Sequence, residues 1–142
     1  MLSVEDRLVI QELYARYCWA MDTGDPDALV ATYTPTGVFS PPTNLVVIGH
    51  DALRKWAIGR AAFRLTEATT NGQHWNANLV LEGDGQSARG RCYFMRIMHT
   101  REPMSVVFDA SGWYEDELRK VDGAWKFQSR NGTRNMPVKP AA

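Results

Sequence analysis

The sequence predicts an α+β fold in which three N-terminal helices pack on one face of a curved, mainly antiparallel sheet. Two observations predict this class: the first half contains three helix-like segments with capping signals, and the second half contains four long β-rich runs separated by short turns. The chain has 142 residues, 44% of them hydrophobic, which is enough for one domain with a continuous core. We therefore predict one domain over residues 1–136 and a C-terminal tail over 137–142.

The first helix is predicted over residues 4–22. Ser3 is a typical N-cap residue, and acidic residues follow it in the first turn, where the helix dipole favours negative charge. Apolar residues then recur at helical spacing: Leu8, Ile10, Leu13, Tyr14, Tyr17, Cys18 and Met21. The pair Thr23 and Gly24 is predicted to end this helix.

Two further helices are predicted in the first half. Asp25 is a cap and Pro26 takes the first position of the second helix. The predicted buried face of that helix consists of Ala28, Leu29 and Tyr33. Asp51 is predicted to cap the third helix, over residues 51–63.

The predicted sheet combines two short strands with four long ones. The short strands precede the third helix, and the long strands follow it as successive hairpins, in the order 38–39, 45–48, 72–82, 88–99, 105–119 and 124–134. The connections between the long runs contain Gly, Asp or Pro, which is typical of hairpin turns. Helices followed by such a meander indicate helices packed on one face of the sheet.

Charge and composition exclude several classes of function. Basic and acidic residues each total 16, so the formal net charge is zero and no basic surface indicates nucleic acid or an anionic membrane. Cys18 and Cys92 lack the spacing of a zinc site or a disulfide framework, and the N-terminal segment lacks a continuous apolar run. The aromatic content of 11% suits an apolar cavity. We therefore expect a cytoplasmic protein that binds a hydrophobic small molecule, with no nucleic-acid or membrane partner.

Asp22 occupies an electrostatically unfavourable position. It lies at the end of the first predicted helix, where the helix dipole favours cations. The carboxylate is therefore either solvated or held by a partner for chemistry.

Three segments carry a resemblance to a known family. They read IQELYARYCWAMDTGDPDALVATYTPTGVF, HWNANLVLEGDGQSARGRCYF and SGWYEDELRKVDGAWKFQSRNGTRN. These runs resemble the SnoaL-like branch of the nuclear transport factor 2-like superfamily, and the resemblance spans nearly the whole chain. It implies a cone-shaped α+β barrel with an interior pocket, in which three N-terminal helices pack on a strongly bent, mainly antiparallel sheet. Because this fold supports enzymes and binding modules alike, the fold alone does not identify the function.

The resemblance also implies a catalytic pair. Asp22 and His74 match the carboxylate–histidine dyad of scytalone dehydratase, bile acid 7α-dehydratase and hexachlorocyclohexane dehydrochlorinase, and Tyr17 matches a tyrosine of the bile acid dehydratase family. In such a dyad the carboxylate fixes the tautomer of the imidazole and stabilises the imidazolium that forms on proton abstraction. The alternative is a solvated helix end together with a sheet histidine bonded by backbone. The resemblance also implies that Tyr17 is catalytic and assists departure of the leaving group or polarises a carbonyl. Core packing is the alternative for Tyr17 and for Tyr14.

The other candidate residues are predicted to bind substrate in the cavity. They are Tyr14, Phe39, Trp56, Asn78, Phe108 and Arg130, with Trp19 as an alternative to Trp56. Asn76 and Asn78 follow His74 at period two, so they are predicted to share its face. An inward Arg130 would bind a substrate oxyanion, whereas Asp109 is expected in an ion pair on the sheet surface.

No cofactor or metal site is predicted. The sequence lacks HxxxH, HExxH, a phosphate-binding glycine loop and a serine nucleophile elbow. We therefore predict a cofactor-independent lyase or isomerase of dehydratase type that acts on a hydrophobic small molecule. The alternatives are a non-catalytic small-molecule-binding cone and a structural subunit akin to a dioxygenase β chain. Trp113 or Trp125 on the exposed sheet face is expected to drive a homo-oligomer, a trimer or a dimer.

Overall fold

Three helices and six strands make up the fold. The computed structural model describes residues 1–64, 69–101 and 103–134. The helices are α1 (Val4–Thr23), α2 (Pro26–Ala31) and α3 (His50–Arg64). The strands are β1 (Tyr33–Ser40), β2 (Val47–Ile48), β3 (Thr69–Gly83), β4 (Ser87–Thr100), β5 (Val106–Val121) and β6 (Ala124–Thr133). The predicted C-terminal tail lies outside the described residues.

The six strands form one open, mixed sheet in the order β2-β1-β6-β5-β4-β3. Neighbouring strands are antiparallel except β1 and β6, which run parallel. The register shifts within β3, β4, β5 and β6, and such bulges increase the twist of long strands and bend them. Helices packed against this sheet confirm the predicted α+β class.

The capping signals of α1 act as the sequence predicts. The Ser3 hydroxyl accepts a 3.0 Å hydrogen bond from the backbone N–H of Asp6. At the other end Gly24 adopts a left-handed conformation, φ 69°, and its N–H donates to the carbonyl of Ala20. Both ends of α1 therefore lie within one residue of their predicted positions.

Three details of the first half differ from the prediction. Tyr33 is the first residue of β1 and does not belong to the second helix. That helix, α2, ends at Ala31, because the carbonyl of the next residue, Thr32, accepts a hydrogen bond from the N–H of Phe127 in the sheet. The second short strand is only Val47–Ile48. The helix α3 begins one residue early, so Asp51 lies in its first turn and is not its cap.

Aromatic side chains fill the interior between α1 and the sheet. Tyr17 makes edge-on contacts with the rings of Tyr33, Phe39 and Phe127 at centroid separations of 5.8–6.3 Å. Trp125 is also buried, so of the two tryptophans expected on the outer face only Trp113 is partly exposed. Within the described ranges no helix is long and apolar enough to cross a membrane.

Candidate active site

Asp22 and His74 meet at the end of α1. The Nδ1 atom of His74 lies 2.6 Å from Oδ1 of Asp22. The backbone N–H of His74 also donates to the same carboxylate, at 3.0 Å to Oδ1 and 2.9 Å to Oδ2. The His74 and Asp22 side chains retain 9% and 18% of their exposure, so the contact is largely shielded from water.

This contact explains how a carboxylate is accommodated at the C-terminal end of a helix. Asp22 lies in the last turn of α1, where the helix dipole disfavours negative charge. His74 supplies two N–H donors to Asp22 from β3, and charge-assisted hydrogen bonds are stronger than neutral ones. The strand therefore provides the positive potential that the helix end lacks.

The same contact fixes the tautomer of His74. An ionised carboxylate can only accept hydrogen bonds, so Nδ1 must carry the proton that faces Asp22. In the neutral ring the other nitrogen, Nε2, is then an acceptor. Among the described residues Nε2 of His74 makes no hydrogen bond. Within the described part of the chain, the lone pair of Nε2 therefore accepts no hydrogen bond.

His74 lies in the wall of an open cavity of about 330 Å³ at one end of the sheet. The apolar part of the wall includes Met21, Phe39, Trp56, Phe94 and Ala110. The polar part includes three arginines, from α3, from β4 and from the residue after β6: Arg60, Arg96 and Arg134. A cavity of this size and composition is suited to a small organic molecule.

A second polar cluster lies in the core around Arg130. This side chain is fully buried, and its Nη2 donates to Oδ1 of Asn76 at 2.7 Å. Its Nε lies 3.7 Å from Oδ1 of Asp116, whose Oδ2 accepts a 2.6 Å hydrogen bond from the Tyr14 hydroxyl. Four rings surround the guanidinium at 3.9–4.8 Å from centroid to Cζ: Tyr14, Tyr17, Tyr114 and Phe127.

Burial governs the pKa values in this cluster. It raises the pKa of Asp116 to about 6, although the Arg130 charge and the Tyr14 hydrogen bond act in the opposite direction. For Arg130 burial is the largest single effect and lowers the pKa, but the charge of Asp116 and the smaller effects of Tyr17, Tyr114 and Cys92 together outweigh it, so the pKa is raised. Burial also raises the pKa of the Tyr17 hydroxyl, which is therefore neutral near pH 7.

Several residues predicted to contact substrate lie in the core instead. Tyr14 bonds Asp116, and Tyr17 packs against Arg130; neither lines the cavity that contains His74. Arg130 is likewise enclosed by aromatic rings and is not among the lining residues, although one of those rings, Tyr114, does line the cavity. The predicted wall residues Phe39 and Trp56, by contrast, do line the cavity.

Two residues predicted to face the cavity lie on the outside because of β-bulges. The predicted shared face of Asn78 and His74 is wrong: the register shifts between Ala77 and Val80, and Asn78 is exposed with φ 57°. Phe108 is 76% exposed, because a register shift beside Asp109 places it opposite Ile97, on the outer face. Trp19 is 72% exposed as well. Asp109 forms an ion pair as expected, but its partner is Arg96 of the cavity wall and not a residue of the outer sheet surface.

The three arginines of the wall were missed by sequence reasoning. Arg96 lies directly opposite His74 in the register of β3 and β4, so it shares the inner face. That signal was available only once strand pairing was known. Arg60 and Arg134 come from α3 and from the residue after β6, and their convergence depends on tertiary structure.

Among the described residues, no cluster of three or more His, Cys, Asp or Glu side chains could hold a metal ion.

The fold and the site define an NTF2-like cone, and the chain belongs to the SnoaL-like domain family, whose pattern matches residues 2–131. Members of this family include dehydratases and isomerases. A search of curated proteins finds no match.

Solved structures share the fold. Rv3472 from Mycobacterium tuberculosis, a protein of unknown function solved as an Asp-to-Asn variant, is 30% identical over 96% of this chain and 80% of its own, with a TM-score of 0.83. A protein of unknown function with a cystatin-like fold, from Nostoc punctiforme, is 26% identical over 98% of this chain and 97% of its own, with a TM-score of 0.77. A protein from Novosphingobium aromaticivorans, provisionally named a scytalone dehydratase, is 24% identical over 94% of this chain and 86% of its own, with a TM-score of 0.76. At that identity the last likeness shows the fold alone.

Proposed function

We propose that this protein is a cofactor-independent lyase or isomerase of dehydratase type, with His74 as the base and a hydrophobic small molecule as the substrate. The observation that carries the proposal is the contact of His74 Nδ1 with Asp22, which leaves Nε2 without a hydrogen bond among the described residues, in the wall of a cavity. A histidine oriented by a carboxylate is a typical general base.

The reaction begins with transfer of a proton from a substrate C–H bond to Nε2 of His74. Asp22 stabilises the resulting imidazolium, since it already accepts the Nδ1–H bond. In an elimination, the C–H electron pair forms a double bond while the neighbouring C–O bond breaks, and the imidazolium proton leaves with the hydroxide as water. In an isomerisation, the imidazolium returns the proton to a different carbon.

Tyr17 takes no part in proton transfer in this reaction. Its side chain is buried in the core, its pKa is raised by burial, and it does not line the cavity. Tyr17 supports the site indirectly, because its ring packs on the same aromatic cluster as Phe39, which does line the cavity.

A non-catalytic binding protein is the second candidate, since the cavity accounts for ligand binding without the dyad. The two functions differ in what His74 does. We expect a His74→Ala variant of an enzyme to bind ligand but lose turnover by about a hundredfold to ten-thousandfold. A binding protein would show no turnover in either form.

The test is a mass-spectrometric screen of hydroxylated and unsaturated ketones in D₂O. Elimination then appears as loss of water, and reversible proton abstraction appears as deuterium incorporation. We expect activity in the wild type, strong loss in His74→Ala and Asp22→Asn, and no loss in His99→Ala, a matched histidine that does not line the cavity. Turnover by His74→Ala at the wild-type rate would contradict the proposal.

A further inference from the structure

We propose that the substrate of this site carries an anionic oxygen group, a carboxylate or a phenolate, on a hydrophobic skeleton. This inference rests on the proposed function for the position of the site and extends it to the class of substrate. The chain as a whole has zero formal net charge, so a local excess of cationic groups in one cavity is a specific arrangement and not a general property of the surface.

Three guanidinium groups line the cavity together with His74. Arg60 comes from α3, Arg96 from β4, and Arg134 follows the end of β6, so three separate parts of the chain bring them to one place. No Asp or Glu is among the residues that line this cavity in the described part of the chain. A planar guanidinium matches the geometry of a carboxylate and retains its charge at any physiological pH.

Two described carboxylates contact residues of this wall, and both are engaged. Asp22 accepts both N–H groups of His74. Asp109 binds the Nε and Nη2 groups of Arg96. Arg134 makes no ion pair within the described residues. A cationic group remains at the cavity for which the chain supplies no described counterion, and an anionic ligand would provide one.

The rest of the wall explains why the ligand is also hydrophobic. Phe39, Trp56 and Phe94 present rings to the cavity, and Met21 and Ala110 complete its apolar side. The volume of about 330 Å³ holds a bicyclic skeleton with one small polar group. A ligand that combines an apolar body with one anionic group satisfies both parts of this wall.

This charge arrangement also suits the proposed chemistry. Arg96 lies directly opposite His74 across β3 and β4, on the same face of the sheet. Removal of a proton from carbon transfers negative charge to the substrate. Asp109 offsets the charge of Arg96, but the guanidinium of Arg134 adds positive potential to the same cavity, which stabilises the developing charge. An anionic group held by the arginines would also fix the skeleton relative to Nε2 of His74, which favours reaction through orientation.

The test compares two probes that differ in charge and little in shape: 2-naphthoate and 2-naphthamide. Binding is measured by calorimetry and by quenching of tryptophan fluorescence, since Trp56 lines the cavity. We expect the wild type to bind naphthoate at least about tenfold more tightly than naphthamide, because charge-assisted hydrogen bonds are worth more than neutral ones. High salt should reduce this preference.

The arginines are tested by the double variant Arg60→Gln/Arg134→Gln, which should bind both probes equally. The matched control is Arg91→Gln, an exposed arginine on the outer face of β4, and we expect it to retain the preference. His74→Ala should also retain the preference, so loss of turnover and loss of anion recognition are separable.

Equal binding of the two probes by the wild type would overturn the inference, and so would failure of the wild type to bind either probe. Retention of the preference in the double variant would overturn it as well. In each case the His74→Ala turnover result stands by itself, because it depends on the dyad and not on the arginines.

Discussion

The Asp22 carboxylate holds His74 twice, by its backbone N–H at 2.9–3.0 Å and by its ring Nδ1 at 2.6 Å. One side chain at the end of α1 therefore fixes both the position of β3 and the orientation of the imidazole. Under the proposed function this contact has a structural and a chemical role, so we expect stability and activity to respond to it together.

We predict that Asp22→Ala lowers the free energy of unfolding by about 1–3 kcal/mol, because it leaves a partly buried backbone donor without its acceptor. Asp22→Asn should cost less, since its amide oxygen can still accept one of the two bonds. Urea unfolding measures the free energy of unfolding of both variants. Glu12→Ala, which removes an exposed ion pair with Arg16 on the same helix, is the control and should be nearly neutral. An Asp22→Ala variant as stable as this control would contradict the structural role.

Element types were predictable from sequence where a local signal sufficed. The caps of α1 and the hairpins between β3, β4, β5 and β6 follow from short patterns, and all are found. The end of α2 was not predictable, because the chain leaves the helix at Thr32 to pair with Phe127 in a distant strand. Helical spacing alone could not reveal that this pairing in the sheet competes with continuation of α2.

The site was predictable only in part, for a related physical reason. Alternation along a strand assigns faces until a bulge interrupts it, and bulges displace Asn78 and Phe108 from the inner face. The arginines of the cavity converge from distant parts of the chain, so no spacing reveals them. Resemblance to a family supplied Asp22 and His74 as a pair, and the structure places them in contact.

We predict that the buried pair of Arg130 and Asp116 is sensitive to the loss of either partner. Asp116→Leu alone should lower the free energy of unfolding by about 3–5 kcal/mol at pH 7, because it leaves the fully buried guanidinium without its counterion. The double variant Asp116→Leu/Arg130→Met should be more stable than Asp116→Leu. Denaturant titration of the wild type and the variants measures this, and a double variant less stable than Asp116→Leu would refute it.

The same carboxylate predicts a pH dependence. Burial raises the pKa of Asp116 from 3.8 to about 6, so the folded chain binds more protons than the unfolded chain between these values. The contribution of Asp116 to stability is therefore greatest below about pH 4 and decreases as the pH rises to about 6. The stability difference between the wild type and Asp116→Asn, measured by urea unfolding, should shrink over this interval. A difference that grows with pH would show that the pKa is lowered instead.

The outer face of the sheet predicts self-association. Trp75 is 54% exposed and Tyr93 is 46% exposed, and Tyr93 lies opposite the partly exposed Trp113. We expect a homo-oligomer, a trimer or a dimer, because exposed aromatic patches of this kind mark association surfaces. Light scattering at micromolar concentration should show it, and Tyr93→Lys should shift the mass towards the monomer. Trp19→Lys, on α1, is the matched control, and a monomeric wild type would refute the prediction.

Gly90 provides the last prediction, because the Tyr14 hydroxyl passes over it to reach Asp116. A Cβ at position 90 would lie 2.2 Å from that hydroxyl oxygen, and Gly90 pairs directly with Asp116 between β4 and β5. Gly90→Ala should therefore displace Tyr14 from Asp116. It should lower the free energy of unfolding by more than Tyr14→Phe, which loses only the hydrogen bond, worth about 1–3 kcal/mol. In the Tyr14→Phe background the clashing oxygen is absent, so Gly90→Ala should cost much less there. Additive costs in a double-mutant cycle of urea unfolding would show that the two residues do not act through this contact.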